Sequence, residues 1–346
     1  MATLKDIARE TGLGLGTVSR ALSGHANVSL ETRQRVKRAA REMGYQSNGL
    51  ARALRRNKTN SVGLIIPDLE NDFYTTAASV VQRLLAAESV RLVVACSNND
   101  PETDRELLTS LIESRVDGII HVPCTARGSD EIRRLNPNLP IVEYARRSLA
   151  RGVQSVIGDD ERGSAKVVDH LVDLGHRKIA LVVGPEGLST TTDRVAGFEE
   201  AVGRHRLPKR SCPILYGPAY DSDWGQQATN ELLDRHPDIT AIFASSSRGA
   251  LGALKTLRGR GLVVPRDISL VGFLNPAWLD VSDPPLTSYE LPLDVMGDLA
   301  TRLLLDRINR PDKPSDDQPQ VVRLDGRLVI RSSTGPPRTS SRGAKA

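Results

Sequence analysis

Residues 3–22 read Thr3-Leu-Lys-Asp-Ile-Ala-Arg-Glu-Thr-Gly-Leu-Gly-Leu-Gly-Thr-Val-Ser-Arg-Ala-Leu22, and their spacing decides the N-terminal fold. Thr3 followed by Asp6 has the form of a capping box, which predicts a helix from Leu4 to about Thr11. Gly12 and Gly14 interrupt it, and a second short helix is predicted over 15–22. Apolar Leu4, Ile7 and Ala8 can then meet Leu13, Val18, Ala21 and Leu22 across a tight turn. A third helix follows, with Ser29 as its N-cap, Val36, Ala40 and Met43 on its inner face and Gly44 as its stop. This is the pattern of a helix-turn-helix, in which the second helix lies in the major groove of DNA.

An ordinary small helical bundle, with Thr17, Ser19 and Arg20 merely facing water, is the plainer alternative. Charge argues against it. Residues 1–58 hold 12 Lys and Arg against 4 acids, a net of +8, whereas the whole chain is +5 and the remainder therefore −3. A basic head on a slightly acidic body is the electrostatic footprint of a phosphate-binding module joined to something else.

With these residues in view, the chain resembles the LacI/GalR family of transcriptional regulators, from Thr3 to about Thr334. The resemblance is carried by Leu-Lys-Asp-Ile-Ala (4–8), Thr-Val-Ser-Arg-Ala-Leu (17–22), Val-Ser-Leu-Glu-Thr-Arg (28–33), Met-Gly-Tyr (43–45) and Leu-Ala-Arg-Ala-Leu-Arg (50–55). It implies base contacts from Leu15, Gly16 and Arg20 and phosphate contacts from Thr17 and Ser19, with Thr3 and Asn27 as further DNA contacts. It also implies a hinge helix after the head, which orders on the operator and inserts Leu54 in the minor groove beside Arg55. By itself, the stretch 47–56 is two helical turns weakened by Gly49, which read alone is a flexible basic linker. Where the family usually carries proline before Asn48, this chain has Ser47.

From Ser61 onward, short apolar runs alternate with helical patterns. Strands are predicted at 62–66, 92–96, 118–122 and 141–144, and a second series at 179–183, 241–244 and 269–273. Helices are predicted between them at 74–88, 102–114, 163–174, 194–206 and 250–260, with a last one at 291–309. Continuous apolar strands in βαβ order mean parallel sheets covered on both faces. The expected fold is α/β: a three-helix head and a hinge helix joined to a bilobed, periplasmic-binding-protein-like core of two doubly wound parallel sheets. The expected divisions are a head at 1–46, a hinge at 47–59, a first lobe at 60–158 plus 289–321, a second lobe at 159–288 plus 322–334, and a disordered tail at 335–346. No leucine-heptad helix follows the core to suggest a tetramer.

Ligands of open α/β sheets bind beyond the carboxyl ends of the strands. In this chain those positions offer Asp72, Phe73, Arg146 and Asp159 on the first lobe, and Arg194, Trp224, Ser247 and Asn275 on the second. Phe73 and Trp224 have flat faces on which a sugar ring could stack, and the charged groups could bond its hydroxyls. Three have a structural alternative: pairing with a nearby acid for Arg194, capping a helix for Asp159, filling the core for Trp224. The resemblance matches Asp72, Phe73, Arg146, Asp159 and Arg194 to effector positions. It also marks two departures, Ser245-Ser-Ser247 where the family commonly has Ala-Asn-Asp and Leu274-Asn275 where it commonly has paired acids. Loss of those carboxylates favours an anionic, sugar-like effector.

No catalytic constellation is visible. The six histidines show no metal-ligand spacing, Cys96, Cys124 and Cys212 are too few and too far apart for a disulfide framework, and no nucleophile elbow or P-loop occurs. Neither a metal nor another cofactor is expected. No run approaches the ~20 apolar residues of a membrane span, and the N-terminus reads as a charged helix rather than a signal peptide. The expectation is a cytoplasmic, homodimeric repressor of carbohydrate-related genes. It binds a pseudo-palindromic DNA operator under the control of a small molecule. A solute-binding protein of the same bilobed fold and an α/β enzyme are the two competing readings.

Overall fold

Thr3 does cap the first helix. In the computed structural model, which describes residues 2–22, 27–45, 58–310 and 320–338, α1 runs Leu4–Thr11 with Thr3 Oγ1 accepting from the Asp6 N–H at 3.4 Å and the Thr3 N–H donating to Asp6 Oδ2 at 2.9 Å. Gly12 ends it in the left-handed region at φ +64°, a conformation that favours glycine. Helices α2 (Leu15–Leu22) and α3 (Leu30–Glu42, capped by Ser29) complete the head. Ile7, Val18, Ala21, Val28, Val36, Ala39 and Ala40 form its core, edged by Leu4, Ala8, Leu13, Leu22 and Met43. The expected hinge, with Leu54 and Arg55, lies outside the described residues apart from its last two positions.

The core begins at Asn60 as a separate compact unit. Its elements are β1 (Ser61–Ile66), α4 (Asp72–Ala87), β2 (Arg91–Cys96), α5 (Pro101–Glu113), β3 (Gly118–His121), α6 (Gly128–Leu135), β4 (Ile141–Tyr144), β5 (Gln154–Gly158), α7 (Asp160–Asp173), β6 (Ile179–Val183), α8 (Ser189–Arg204), β7 (Ile214–Tyr216), α9 (Ser222–Arg235), β8 (Ala241–Ala244), α10 (Ser247–Gly259), β9 (Ser269–Phe273), α11 (Trp278–Val281), β10 (Thr287–Glu290), α12 (Leu293–Asn309), β11 (Val321–Leu324) and β12 (Arg327–Val329). The strands form two six-stranded sheets, ordered β11-β5-β4-β3-β1-β2 and β12-β10-β9-β8-β6-β7. All pairings are parallel except that of β10 with β12. Strands β1, β6, β8 and β9 are buried along their whole length, which is why they read as unbroken apolar runs.

Among the described residues the chain passes between the sheets three times. The first passage follows Gly158, as the sequence suggests. The other two fall later than expected. Thr287–Glu290 pairs with β9, so the second passage is at Leu291-Pro292 rather than at 288. Val321–Leu324 pairs along its length with β5, so the third is at Asp325-Gly326 rather than at 322. Polar helix starts also concealed two boundaries: α8 opens at Ser189 rather than Arg194, and α10 at Ser247 rather than Ala250. The tail expectation is corrected at its beginning. Gly335 O accepts from His176 Nε2 at 2.9 Å, the Gly335 N–H donates to Ser269 Oγ at 3.1 Å, and Arg338 donates to Pro237 O at 2.7 Å. Residues 339–346 lie outside the described residues.

Close backbone approach sets the packing of the second lobe. A Cβ on Gly197 of α8 would stand 1.8 Å from the Glu161 carbonyl oxygen of α7. Backbone cannot step aside as a side-chain tip can, so Gly197→Ala is expected to cost about 1–3 kcal/mol by forcing the helices apart. Urea denaturation checks this, and an unchanged midpoint would show that the two helices are free to separate.

Candidate functional site

Two sites emerge, one on each unit. On the head, α2 presents exposed Leu15, Gly16 and Arg20 and half-buried Thr17 and Ser19. Val18 and Ala21 of the same helix face the core, so the helical period sorts the reading face from the packing face. Leu15 is 47% exposed. The Arg20 side chain folds back so that Nε donates to Gly16 O at 3.1 Å. Asn27 is exposed ahead of α3, and Thr3 is committed to its cap.

On the core, a cavity of about 530 Å³ lies between the lobes, within the ~300–1,000 Å³ range of small-ligand sites. Of the effector candidates read from sequence, it brings together Phe73, Arg146 and Arg194. Phe73 stands edge-on to Tyr74, ring centroids 5.0 Å apart, at the start of α4, where Asn71 Oδ1 caps the helix. Arg146 follows β4 and donates from Nη1 to Asn99 Oδ1 at 2.7 Å. Arg194, from α8, donates to Ser245 O at 2.7 Å and pairs with Asp160 Oδ2 at 3.2 Å, while its guanidinium lies 4.4 Å from the Phe273 ring centroid.

The other candidates face elsewhere. Asp159 is the N-cap of α7 and lines a charged surface hollow, while its neighbour Asp160 is the one that turns into the cavity. Trp224 is core: its indole N–H donates to Val183 O at 2.8 Å, and Tyr220 takes the place at the cavity wall. Ser247, Asp72 and Asn275 line an adjoining hollow, and Ser246, the cap of α10, reaches the cavity instead. Asn275 is held by Glu290, Ser288 and Arg331. These misplacements are by one to four residues, because a strand-end position is legible in sequence while the direction its side chain takes at the following helix start is not.

Several further residues complete the site. Tyr74, Asn98, Thr190 and Tyr220 line it, and Arg248 of α10 reaches across the mouth to Asp68 Oδ2 at 2.6 Å and Glu70 Oε2 at 3.1 Å on the first lobe. On another side Asp193 of α8 receives Arg147 at 2.8 Å and Arg323 at 3.2 Å, both from the first lobe. The walls keep buried polar atoms that have no hydrogen-bond partner among the described residues: Arg146 Nε, Asp160 Oδ1, Thr190 Oγ1 and Arg194 Nε. Burial pushes the Asp160 carboxyl up to about 6 even though Arg194 opposes the shift. Burial likewise raises the Tyr74 hydroxyl, against the pull of Arg146 and Arg194.

Comparison with known proteins agrees with this division. Residues 3–48 match the model of bacterial regulatory proteins of the lacI family, and residues 168–334 match a periplasmic binding protein-like domain. Catabolite control protein A of Priestia megaterium is 32% identical over 96% of this chain and 99% of its own length. The chain belongs to the lacI family. Other full-length relatives are the ribose operon repressor of Halalkalibacterium halodurans, 30% identical over 96% of this chain and 97% of its own, and the regulator CelR of Thermobifida fusca, 32% identical over 96% and 98%. Among solved structures, a CelR–cellobiose complex matches with a TM-score of 0.71 at 29% identity, covering 96% of this chain and all of that one. The lac repressor dimer on its operator shares the fold, with a TM-score of 0.83 at 24% identity over 96% and 99%. This lacI-family member is thus a sequence-specific DNA-binding transcriptional regulator. No described helix is long and apolar enough to cross a membrane.

Asp160 gives the family core a measurable pH signature. Its folded-state pKa, about 6, lies above the ordinary 3.8, so its charge costs stability at neutral pH. That cost is relieved as pH falls through about 6 and is gone below 3.8. Relative to Asp160→Asn, the wild type is expected to gain stability as pH drops through this window, read from paired thermal melts. A pH-independent difference would mean that Arg194 holds the carboxylate charged throughout.

Proposed function

We propose that this regulator acts in the cytoplasm as a homodimer on a pseudo-palindromic operator, repressing carbohydrate-related genes, and that a sugar-like small molecule seated between its lobes sets its affinity for DNA. The observation that carries the effector half is the cavity itself, whose unpartnered polar atoms come from both lobes: Arg146 Nε from the first, and Asp160 Oδ1, Thr190 Oγ1 and Arg194 Nε from the second. A ligand shifts an equilibrium only by its differential affinity for the two states. Groups on both lobes supply that difference, because a ligand held by one lobe alone is indifferent to the angle between them. Of the contacts proposed from sequence, Phe73, Arg146 and Arg194 line the cavity, and Tyr74, Asp160, Thr190, Tyr220 and Ser246 join them. The names of the relatives, a ribose operon repressor and a regulator complexed with cellobiose, support a carbohydrate-like ligand.

The dimer reading is supported by β2, an edge strand on which Val93 and Val94 are exposed by 43% and 40%. An uncovered apolar edge invites pairing with another chain. In DNA recognition, Leu15, Gly16 and Arg20 are assigned to bases, Thr17 and Ser19 to phosphates and Leu54 to the minor groove, with Thr3, Asn27 and Arg55 as further DNA contacts.

Arg20 is the long donor on the reading face, suited to the O6 and N7 of guanine. Arg20→Ala is expected to cost about 1–3 kcal/mol of operator binding and to relax preference at one symmetric pair of positions. Fluorescence anisotropy with labelled palindromic duplexes, run across salt, checks this. Uniform weakening on all sequences would make Arg20 a phosphate contact. In the same assay, operator affinity that no sugar, sugar acid or sugar phosphate alters would overturn the effector half of the proposal.

A further inference from the structure

We infer that the effector is a hydroxylated anion, a sugar carrying a carboxylate or a phosphate, and that Arg146 receives the charged group. This names the ligand class of the cleft and rests on the effector reading above.

The three arginines of the cavity are not equivalent. Arg194 is matched by Asp160, and Arg248 by Asp68 and Glu70. Arg146 is only 3% exposed, yet its one side-chain partner is the neutral Asn99 Oδ1, its Nε is buried with no acceptor, and among the described residues no carboxylate stands within ion-pair distance. Arginine is almost never buried unless paired, because leaving water costs a charge far more than a neutral acceptor returns. A buried guanidinium in a cavity wall is therefore explained if its counter-ion arrives with the ligand.

Four further observations agree. The turn that carries Arg146 is strained: Ala145 sits at φ +61°, a region that side-chain-bearing residues rarely adopt. The negative groups of the cavity are already engaged, Asp160 by Arg194, Asp68 and Glu70 by Arg248, and Asp221 as the N-cap acceptor for Trp224. The second-lobe strand ends offer Ser246 and Leu274, which add no carboxylate to compete for Arg146. Asp160 Oδ1 and Thr190 Oγ1 remain without partners, and hydroxyl groups satisfy both. A neutral sugar would fill the hydroxyl positions and leave Arg146 uncompensated, whereas an anion gains charge-assisted hydrogen bonds.

The test uses the full-length protein with ribose, glucose and galactose, each as neutral aldose, aldonic acid and terminal phosphate ester, in thermal-shift and calorimetric titrations. Inorganic phosphate against chloride at matched ionic strength is a probe independent of the sugar. At least one anionic member is expected to bind about tenfold or more tightly than its neutral counterpart, the scale of a hydrogen bond to a charged group. Acid and phosphate arms distinguish the two sources of charge. Inorganic phosphate is expected to raise the melting temperature of the wild type and not of Arg146→Gln, and Arg146→Lys is expected to retain part of the anion preference. Circular dichroism and operator binding report whether each variant is folded, and if Arg146→Gln is not, the reduced preference of Arg146→Lys carries the test. A neutral sugar that binds more tightly than its acid and phosphate, or an anion preference that survives loss of the guanidinium, overturns this inference and leaves the effector reading standing. No response to any sugar, acid or phosphate overturns both.

Discussion

Three backbone passages between two parallel sheets are the constraint on which this core depends, and they are packed against one another as tightly as backbone allows. A Cβ on Gly158 would stand 2.6 Å from Leu291 Cδ1, and one on Gly326 would stand 2.1 Å from the Glu290 carbonyl oxygen. The three passages therefore pack into a single bundle, closed by backbone at Gly326 and by the Leu291 side chain at Gly158. Around it, Tyr289 donates to Asp325 Oδ1 at 2.7 Å, and Lys166 and Arg162 reach the same carboxylate at 2.8 Å and 3.2 Å. A joint so closely packed restricts relative motion of the lobes to a few backbone torsions, which suits a device that reads a ligand as a change of angle.

What opposes such a motion lies away from the joint and is electrostatic. Arg248 crosses the mouth to Asp68 and Glu70, and Asp193 gathers Arg147 and Arg323. Arg248 is 28% exposed and its partners more so, and exposed pairs are individually worth ~1 kcal/mol or less. The Arg248 pairs therefore hold the mouth only weakly, whereas Asp193 is itself buried and its pairs with Arg147 and Arg323 are better shielded from water. The buried Arg194–Asp160 pair is different. Both groups are nearly sealed from water, the guanidinium lies against the Phe273 and Tyr220 rings, and breaking such a pair is costly because the remaining charge has nowhere to go. It is part of the wall, whereas the mouth pairs lie at its edge.

The head is built on another scale. Its core is a handful of small apolar side chains, stabilised by caps at Thr3 and Ser29 and by Arg35 donating to Thr11 O at 2.6 Å. Positive charge concentrated on so small a unit serves attraction to phosphates, which are the same in every sequence, so specificity must come from other contacts. Recognition of DNA and recognition of a ligand thus rest on separate folding units with opposite net charge.

The sequence by itself determined the local structure. The Thr3–Asp6 cap, the Gly12 break and the 3.6-residue period of Ile7, Val18, Ala21 and Val36 define the three-helix head, because those signals act within one or two turns of helix. Unbroken apolar runs at β1, β6, β8 and β9 likewise announced two buried parallel sheets, since burial on both faces leaves no room for polar alternation. The tertiary structure alone decided where the chain passes between sheets, because only strand pairing with β9 and β5 assigns β10 and β11 to their sheets. It also decided which of two adjacent residues enters the cleft: Asp160 rather than Asp159, Ser246 rather than Ser247, Tyr220 rather than Trp224. At a helix start, successive side chains point about 100° apart, so one position separates a helix cap from a cavity wall. Partnership was equally invisible beforehand. Arg146, Arg194 and Arg248 are identical letters, and only the fold shows that two of them meet carboxylates and the third does not.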